Sequence, residues 1–308
     1  MSSPTVLAPF RLCDVDGGPS VLRSMRRRHR MLFQGVYVDR TVALTTELLA
    51  RAALLASEPD SYLSHHTAAR LWGAVVPDSP DVHVTTPGLR SKKHGIAAHR
   101  VKAGQRVVTW KGLRVTAPGQ TFLDLAHRLG LVDLVVLGDS LVRAGRVTVD
   151  ELVELTAGRC GPYSTSARRA ALLVRKGVDS PMETRLRLLI VLAGLPEPTV
   201  DHRIHTRDGV LLYRFDLYYA AARHIIEYDG KQHEKDRQRR SDILRDEQFD
   251  AWRLRKVVTV ADDIYGVPGQ TLSRICRAMR EQGMTVSTLS DEWRRHFPSR
   301  GDDVSNPG

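Results

Sequence analysis

The chain has 308 residues, of which 42% are hydrophobic, and 46 Lys and Arg face 35 Asp and Glu for a formal net charge of +11. That length exceeds one ordinary domain and the apolar share suffices for packed cores, so two or three domains are expected. The positive balance points to a polyanion, nucleic acid first. Cys13, Cys160 and Cys276 are far apart and odd in number, which excludes a disulfide framework or a zinc-type cysteine spacing and fits a reducing interior. The opening M-S-S-P-T-V-L-A-P-F-R has no basic start and no long apolar core, so no secretory signal is expected. No apolar run approaches transmembrane length. A cytoplasmic protein without a membrane partner is expected.

In chain order, residues 1–19 carry Pro4, Pro9, Gly17, Gly18 and Pro19 and read as an irregular lead. Ser20 is a candidate cap for a short basic helix over 21–30, and residues 31–38 predict two strands turning at Gly35. A basic helix followed by a β-wing is how a winged helix-turn-helix ends, with the helix reading the major groove and the wing touching phosphates. Arg23, Arg26, Arg27 and Arg28 are then the expected DNA contacts, a solvated basic helix being the alternative. Residues 46–57 have helical periodicity, and residues 64–73 predict a second helix stopped by Gly73. His65 and His66 are adjacent in it, which a helix does not easily aim at one ion, so they are expected as caps or core polar contacts. Short strands follow at 82–86, 95–100, 107–110 and 113–116, then helices over 121–129, 132–143 and 149–156.

Residues 158–178 begin as a Gly, Pro and Ser linker and pass into a basic stretch, and Asp208-Gly209 marks a hairpin between strands at 201–207 and 210–216. The most informative stretch runs from Arg214 to His233. Asp216 stands late in one apolar segment, and Glu227 and Asp229 stand two apart at the end of the next, before Gly230. Two strands joined by a tight turn set Asp216 beside Glu227, and alternation puts Glu227 and Asp229 on one face. Converging carboxylates repel unless a cation sits between them, and an oxygen-rich site suits Mg2+ or Mn2+. The bland alternative is a set of solvated turn acids. Lys231 offers a cation for a phosphate and His233 a proton donor or acceptor near neutrality, an ordinary polar turn being the alternative. A charged helix over 235–251 supplies Arg237 and Arg240 as phosphate contacts, or a salt-paired solvated face with its interleaved acids. A closing strand at 252–260, a helix at 270–279 and a disordered tail complete the chain. No Walker-type loop, GxGxxG, HExxH or GxSxG element occurs, so ATP use, nicotinamide binding and serine hydrolysis are poorly supported.

Two family resemblances rest on these residues. The Arg-rich segment before F-Q-G-V-Y-V, then S-H-H-T-A-A-R-L-W-G, V-H-V-T-T-P and G-L-R-V-T-A-P-G-Q-T-F-L-D-L-A, resemble the abortive-infection type IV antitoxin family over residues 20–156. That implies a winged helix coupled to a second α/β domain, and a toxin protein as a further partner. Ser180-Pro181-Met182-Glu183 before T-R-L-R-L-L-I-V-L-A-G-L, then Asp216, Glu227-x-Asp229-Gly230 and His233, resemble the PD-(D/E)xK nucleases over residues 180–264. The likeness is strongest to the branch related to very-short-patch-repair endonucleases. It implies a restriction-endonuclease-like mixed sheet flanked by helices. It also implies Mg2+ or Mn2+ held by Glu183, Asp216, Glu227 and Asp229, and DNA cleavage or nicking aided by Lys231 and His233, in phage defence or repair. The lysine usual two residues after the glutamate is Asp229 here, and Lys231 lies one strand register later. Two functions therefore stand open: a metal-dependent DNA endonuclease, and a non-catalytic DNA-binding regulator or antitoxin that keeps the nuclease fold as a scaffold. The expected architecture is α/β (α+β), with a winged-helix-like segment at 1–45, an antitoxin-like domain at 46–157, a linker and basic helix at 158–179, the nuclease-like domain at 180–297 and a tail at 298–308.

Overall fold

The computed structural model describes residues 8–15, 27–88, 93–230 and 247–299. Among them the strands form three sheets, interspersed with helices in a mixed α+β architecture. The chain divides into two units, residues 1–129 with 144–172, and residues 130–143 with 173–308.

In the first unit, β1 (Phe10–Arg11), β2 (His29–Phe33) and β3 (Val36–Asp39) form an antiparallel sheet in the order β1-β3-β2. Gly35 makes the β2–β3 turn at φ 76°, where an L side chain would be strained. All four residues of β3 are buried, Asp39 included. Its carboxylate accepts from the Thr41 hydroxyl and N–H and from Arg28 Nε, which together hold its pKa down at about 2. Helix α1 (Thr46–Leu55), capped by Thr45 Oγ1 on the Leu48 N–H, packs on this sheet. Two expectations change here. Residues 29–30 belong to β2 and not to the end of a basic helix, because they pair with Asp39 and Val38; strand pairing overrides local helix preference. Phe10 and Arg11, expected to be irregular, gain a strand by pairing with Tyr37 and Val36. Residues 27–28 are helical, and the rest of that expected helix, with Arg23 and Arg26, lies outside the described residues.

The second sheet of this unit runs β6-β5-β4-β8-β7, from β4 (Tyr62–Leu63), β5 (Val82–Thr86), β6 (Ile96–Arg100), β7 (Val107–Trp110) and β8 (Leu113–Thr116). The β5–β6 and β4–β8 pairs are parallel. Helix α2 (His65–Leu71) leaves β4 through Ser64 and packs on β5, and α3 (Pro118–Leu125) packs on α2. Helix α4 (Leu131–Arg143) belongs to the other unit. Helices α5 (Val149–Ala157) and α6 (Ser164–Leu173) follow, α6 to residue 172 in the first unit. Helix α6 lies within the span expected as linker and basic helix, and Ala167, Ala170 and Ala171 form its buried stripe at helical spacing.

The second unit is built on a sheet in the order β12-β11-β10-β9: β9 (Thr199–His205), β10 (Leu211–Tyr219), β11 (His224–Tyr228) and β12 (Arg255–Thr259). Its β9–β10 and β10–β11 pairs are antiparallel and β11–β12 is parallel. Helix α7 (Pro181–Leu192) starts with Ser180 Oγ accepting the Glu183 N–H, and buries Leu186, Leu188, Leu189 and Ile190. Helices α8 (Ala261–Tyr265) and α9 (Pro268–Glu281) also pack on it. The sequence division assigned α4 to the antitoxin-like domain at 46–157; it packs instead on α7, around a buried polar centre. Arg187, 0% exposed, donates to Asp139 Oδ2 at 3.2 Å, Glu197 Oε1 at 2.9 Å and the Leu173 carbonyl at 2.8 Å. Asp139 also accepts from the Arg175 N–H at 2.7 Å and the Thr184 hydroxyl at 2.8 Å. Among the described residues no helix is long and apolar enough to cross a membrane.

Candidate functional site

Asp216 lies on β10, where Arg214, Asp216 and Tyr218 alternate with buried Phe215, Leu217 and Tyr219. The β10–β11 ladder pairs Leu217 with Ile226, and one step further the same register sets Asp216 opposite Glu227. There a side chain enters the main-chain bonding: the Tyr228 N–H donates to Asp216 Oδ2 at 3.0 Å. β11 stays tied to β12 through Glu227↔Val258 and Tyr228↔Thr259, and the Asp229 N–H donates to the Thr259 carbonyl at 2.8 Å. Glu227 and Asp229 are therefore held on a paired strand and share a face by alternation.

Glu183 reaches this region from the first turn of α7. Its Oε2 accepts from the Asp179 N–H at 2.9 Å while its own N–H is capped by Ser180, so it also closes the start of the helix. Burial pushes its pKa up, and the charges of Asp216 and Asp179 add to that rise. Glu183 and Asp216 are thus within electrostatic reach of each other. Arg214, two residues before Asp216, forms ion pairs with Asp179 and Asp201. Arg214 is not among the expected site residues, although strand alternation alone puts it on the face of Asp216. Lys231, His233, Arg237 and Arg240 lie outside the described residues. In the first unit Arg27 and Arg28 are exposed, and Arg28 is paired with Asp39.

A second constellation lies in the first unit. Among the described residues one trio of His, Cys, Asp or Glu has ligand atoms all within 4.8 Å of one another: His65, His83 and His99. Among the described residues no trio of acids in the second unit is gathered that tightly. His65 is the first residue of α2, His83 is on β5 and His99 on β6, two register steps further along the same face. His83 Nδ1 and His99 Nε2 are 2.9 Å apart, and the His65 and His99 rings stack at 3.8 Å. Hydroxyls meet two of the other ring nitrogens: Ser79 Oγ is 2.8 Å from His83 Nε2, and Ser64 Oγ is 2.9 Å from His65 Nδ1. The expectation of core polar contacts for His65 describes the Ser64 bond, but the partners that gather around it come from the sheet, not from its helix.

Burial, with the neighbouring rings adding to it, pushes His65 and His83 down, His83 to about 3. The folded values lie below the unfolded value near 6.5, so the unfolded chain takes up protons first as the pH falls. The stability contribution is complete above about pH 6.5 and is lost progressively toward about pH 3. Thermal unfolding followed from neutral pH downward is expected to show a midpoint that falls below about pH 6.5, and His83→Gln is expected to flatten that fall. A midpoint independent of pH in that window contradicts this.

No family model matches the chain. Two curated proteins of Mycobacterium tuberculosis are similar to it: Uncharacterized protein MT2308 of strain CDC 1551 / Oshkosh and Uncharacterized protein Rv2248 of strain ATCC 25618 / H37Rv. Each is 28% identical over 260 residues, which cover 80% of this chain and 90% of the relative. A match of that length reaches into both units.

Proposed function

We propose that this is a cytoplasmic, DNA-associated protein whose second unit is a divalent-metal-dependent endonuclease, cleaving or nicking DNA phosphodiesters in phage defence or repair. The observation that carries this reading is the register that sets Asp216 opposite Glu227, with Glu183 brought within electrostatic reach from α7. The donor set fits Mg2+ or Mn2+: it is all carboxylate oxygen, and the mutual repulsion that helps raise Glu183 is what a cation relieves. Asp216 and Glu227 hold the ion, Glu183 binds it directly or through a water, and Asp229 adds a ligand or orients a water. Bound there, the ion supplies Lewis acidity and charge neutralisation. Lys231 neutralises the scissile phosphate, and His233 holds or moves a proton. Arg237 and Arg240 contact phosphates, as do Arg23, Arg26, Arg27 and Arg28 in the first unit. From the resemblance of that unit comes one further partner class, a toxin protein. The regulator reading is favoured by one observation: an aspartate, Asp229, stands where the nuclease pattern has lysine. Incubation with labelled duplex, mismatched and single-stranded oligonucleotides in Mg2+ or Mn2+ separates the two readings. The endonuclease cuts at least one of them, and the regulator binds without cutting.

The basic segment has its own test. Neutralising Arg26, Arg27 and Arg28 together is expected to weaken duplex binding and to flatten log affinity against log salt by about 0.9 per lost phosphate contact. An unchanged slope, measured by fluorescence anisotropy, removes this segment from the DNA interface.

A further inference from the structure

We infer that His65, His83 and His99 form a binding site for one zinc-class transition-metal ion, distinct from the carboxylates of the second unit. Three elements contribute one imidazole each: α2, β5 and β6. Imidazole suits Zn2+, Co2+, Ni2+ or Cu2+, whereas Mg2+ prefers oxygen. Around a tetrahedral zinc with Zn–N bonds of about 2.0–2.1 Å, ligand nitrogens stand about 3.4 Å apart. The 2.9 Å separation of His83 Nδ1 and His99 Nε2 has to open slightly, and separations of up to 4.8 Å have to close, both within the reach of side-chain rotation.

The surroundings are those of an oriented ligand set. Ser79 Oγ engages His83 Nε2, the nitrogen opposite the one that meets His99, and Ser64 Oγ engages His65 Nδ1 and is itself held by the Thr85 hydroxyl at 2.8 Å. Such outer partners set the tautomer and ring orientation of metal-binding histidines. His65 holds its ring there from a backbone φ of 49°, a left-handed conformation that costs energy for a residue with a Cβ. The cluster also carries more imidazole than its hydrogen bonds use: His66, whose ring is 4.7 Å from that of His83, has Nδ1 buried without a hydrogen-bond partner. Three protein ligands leave one coordination position open to water or substrate, and His127 lies edge-on to the His65 ring at 5.8 Å.

The full chain, stripped by chelation and dialysed, is titrated with Zn2+ and with Co2+. One equivalent of Zn2+ that Asp216→Asn retains and His83→Gln loses is expected, and Co2+ bound there gives the visible absorption of a four-coordinate nitrogen-bound ion. His83→Gln and His99→Gln each lower affinity by at least about 100-fold, Ser79→Ala by about tenfold, and Asp216→Asn leaves it unchanged. Unfolding of each metal-free variant is compared with metal-free wild type, and His99→Gln, at a half-buried position, is the variant expected to keep the fold. Three results overturn the inference: no Zn2+ or Co2+ uptake by wild type, wild-type affinity in both histidine variants, or loss of the ion with Asp216→Asn.

Discussion

Arg187→Met is expected to destabilise the second unit by about 3–5 kcal/mol, the cost of leaving a buried charge without its partner. Arg187 is 0% exposed and spans three acceptors, Asp139, Glu197 and the Leu173 carbonyl. Methionine keeps much of the volume but leaves Asp139 with only the Arg175 N–H and the Thr184 hydroxyl. Burial already pushes the Asp139 carboxyl up, and Arg187 is the largest opposing influence. Without it Asp139 protonates more readily, so the loss is greater at alkaline than at mildly acidic pH. Arg187→Lys is expected to recover only part of the loss, since a point charge on a flexible stem does not reproduce the planar fork. Replacing both partners, Asp139→Leu with Arg187→Met, is expected to return most of the stability, because the uncompensated charge is gone. Urea unfolding of the four proteins decides the matter. A single-variant loss under about 1 kcal/mol would mean that water or a rearranged side chain reaches Asp139.

Asp216→Asn is expected to lower DNA cleavage by about 10²- to 10³-fold, from the several kcal/mol of charge stabilisation that a bound cation supplies and the tenfold per 1.36 kcal/mol of barrier height. The fold should survive, because the asparagine oxygen still accepts the Tyr228 N–H that Asp216 Oδ2 now takes. DNA affinity should hold or rise, since one negative charge is removed. Asp229→Ala is expected to weaken Mn2+ binding in calorimetry, whereas Lys231→Ala or His233→Ala lowers single-turnover cleavage with metal affinity kept. Unchanged Mn2+ affinity in Asp229→Ala would reduce the ligand set to Glu183, Asp216 and Glu227.

Where local chemistry decides, the sequence was readable. The strand expected at 82–86 is β5, the turn at Gly35 joins β2 and β3, and Asp208-Gly209 lies between β9 and β10. The register that sets Asp216 opposite Glu227 was legible for the same reason: the short connection between Tyr219 and His224 leaves little freedom of register. What escaped depends on partners far along the chain. Nothing in the period of residues 131–143 says that Asp139 meets Arg187, 48 residues on, the contact that ties α4 to the second unit. Phe10–Arg11 is a strand only because β3 is there to pair with it. The histidine trio needed the β5–β6 register to bring His83 and His99 together. Reasoning confined to the adjacent pair His65 and His66 on one helix could not supply it.

Supercoiled plasmid incubated with the full chain in Mg2+ or Mn2+, with Asp216→Asn and a chelator as parallel controls, tests the endonuclease reading most directly. Wild type is expected to convert it to open circles or linear DNA, and chelation and Asp216→Asn are expected to suppress that conversion. Plasmid left covalently closed in both metals, by a wild type that binds it, or cleaved equally by Asp216→Asn, contradicts that reading.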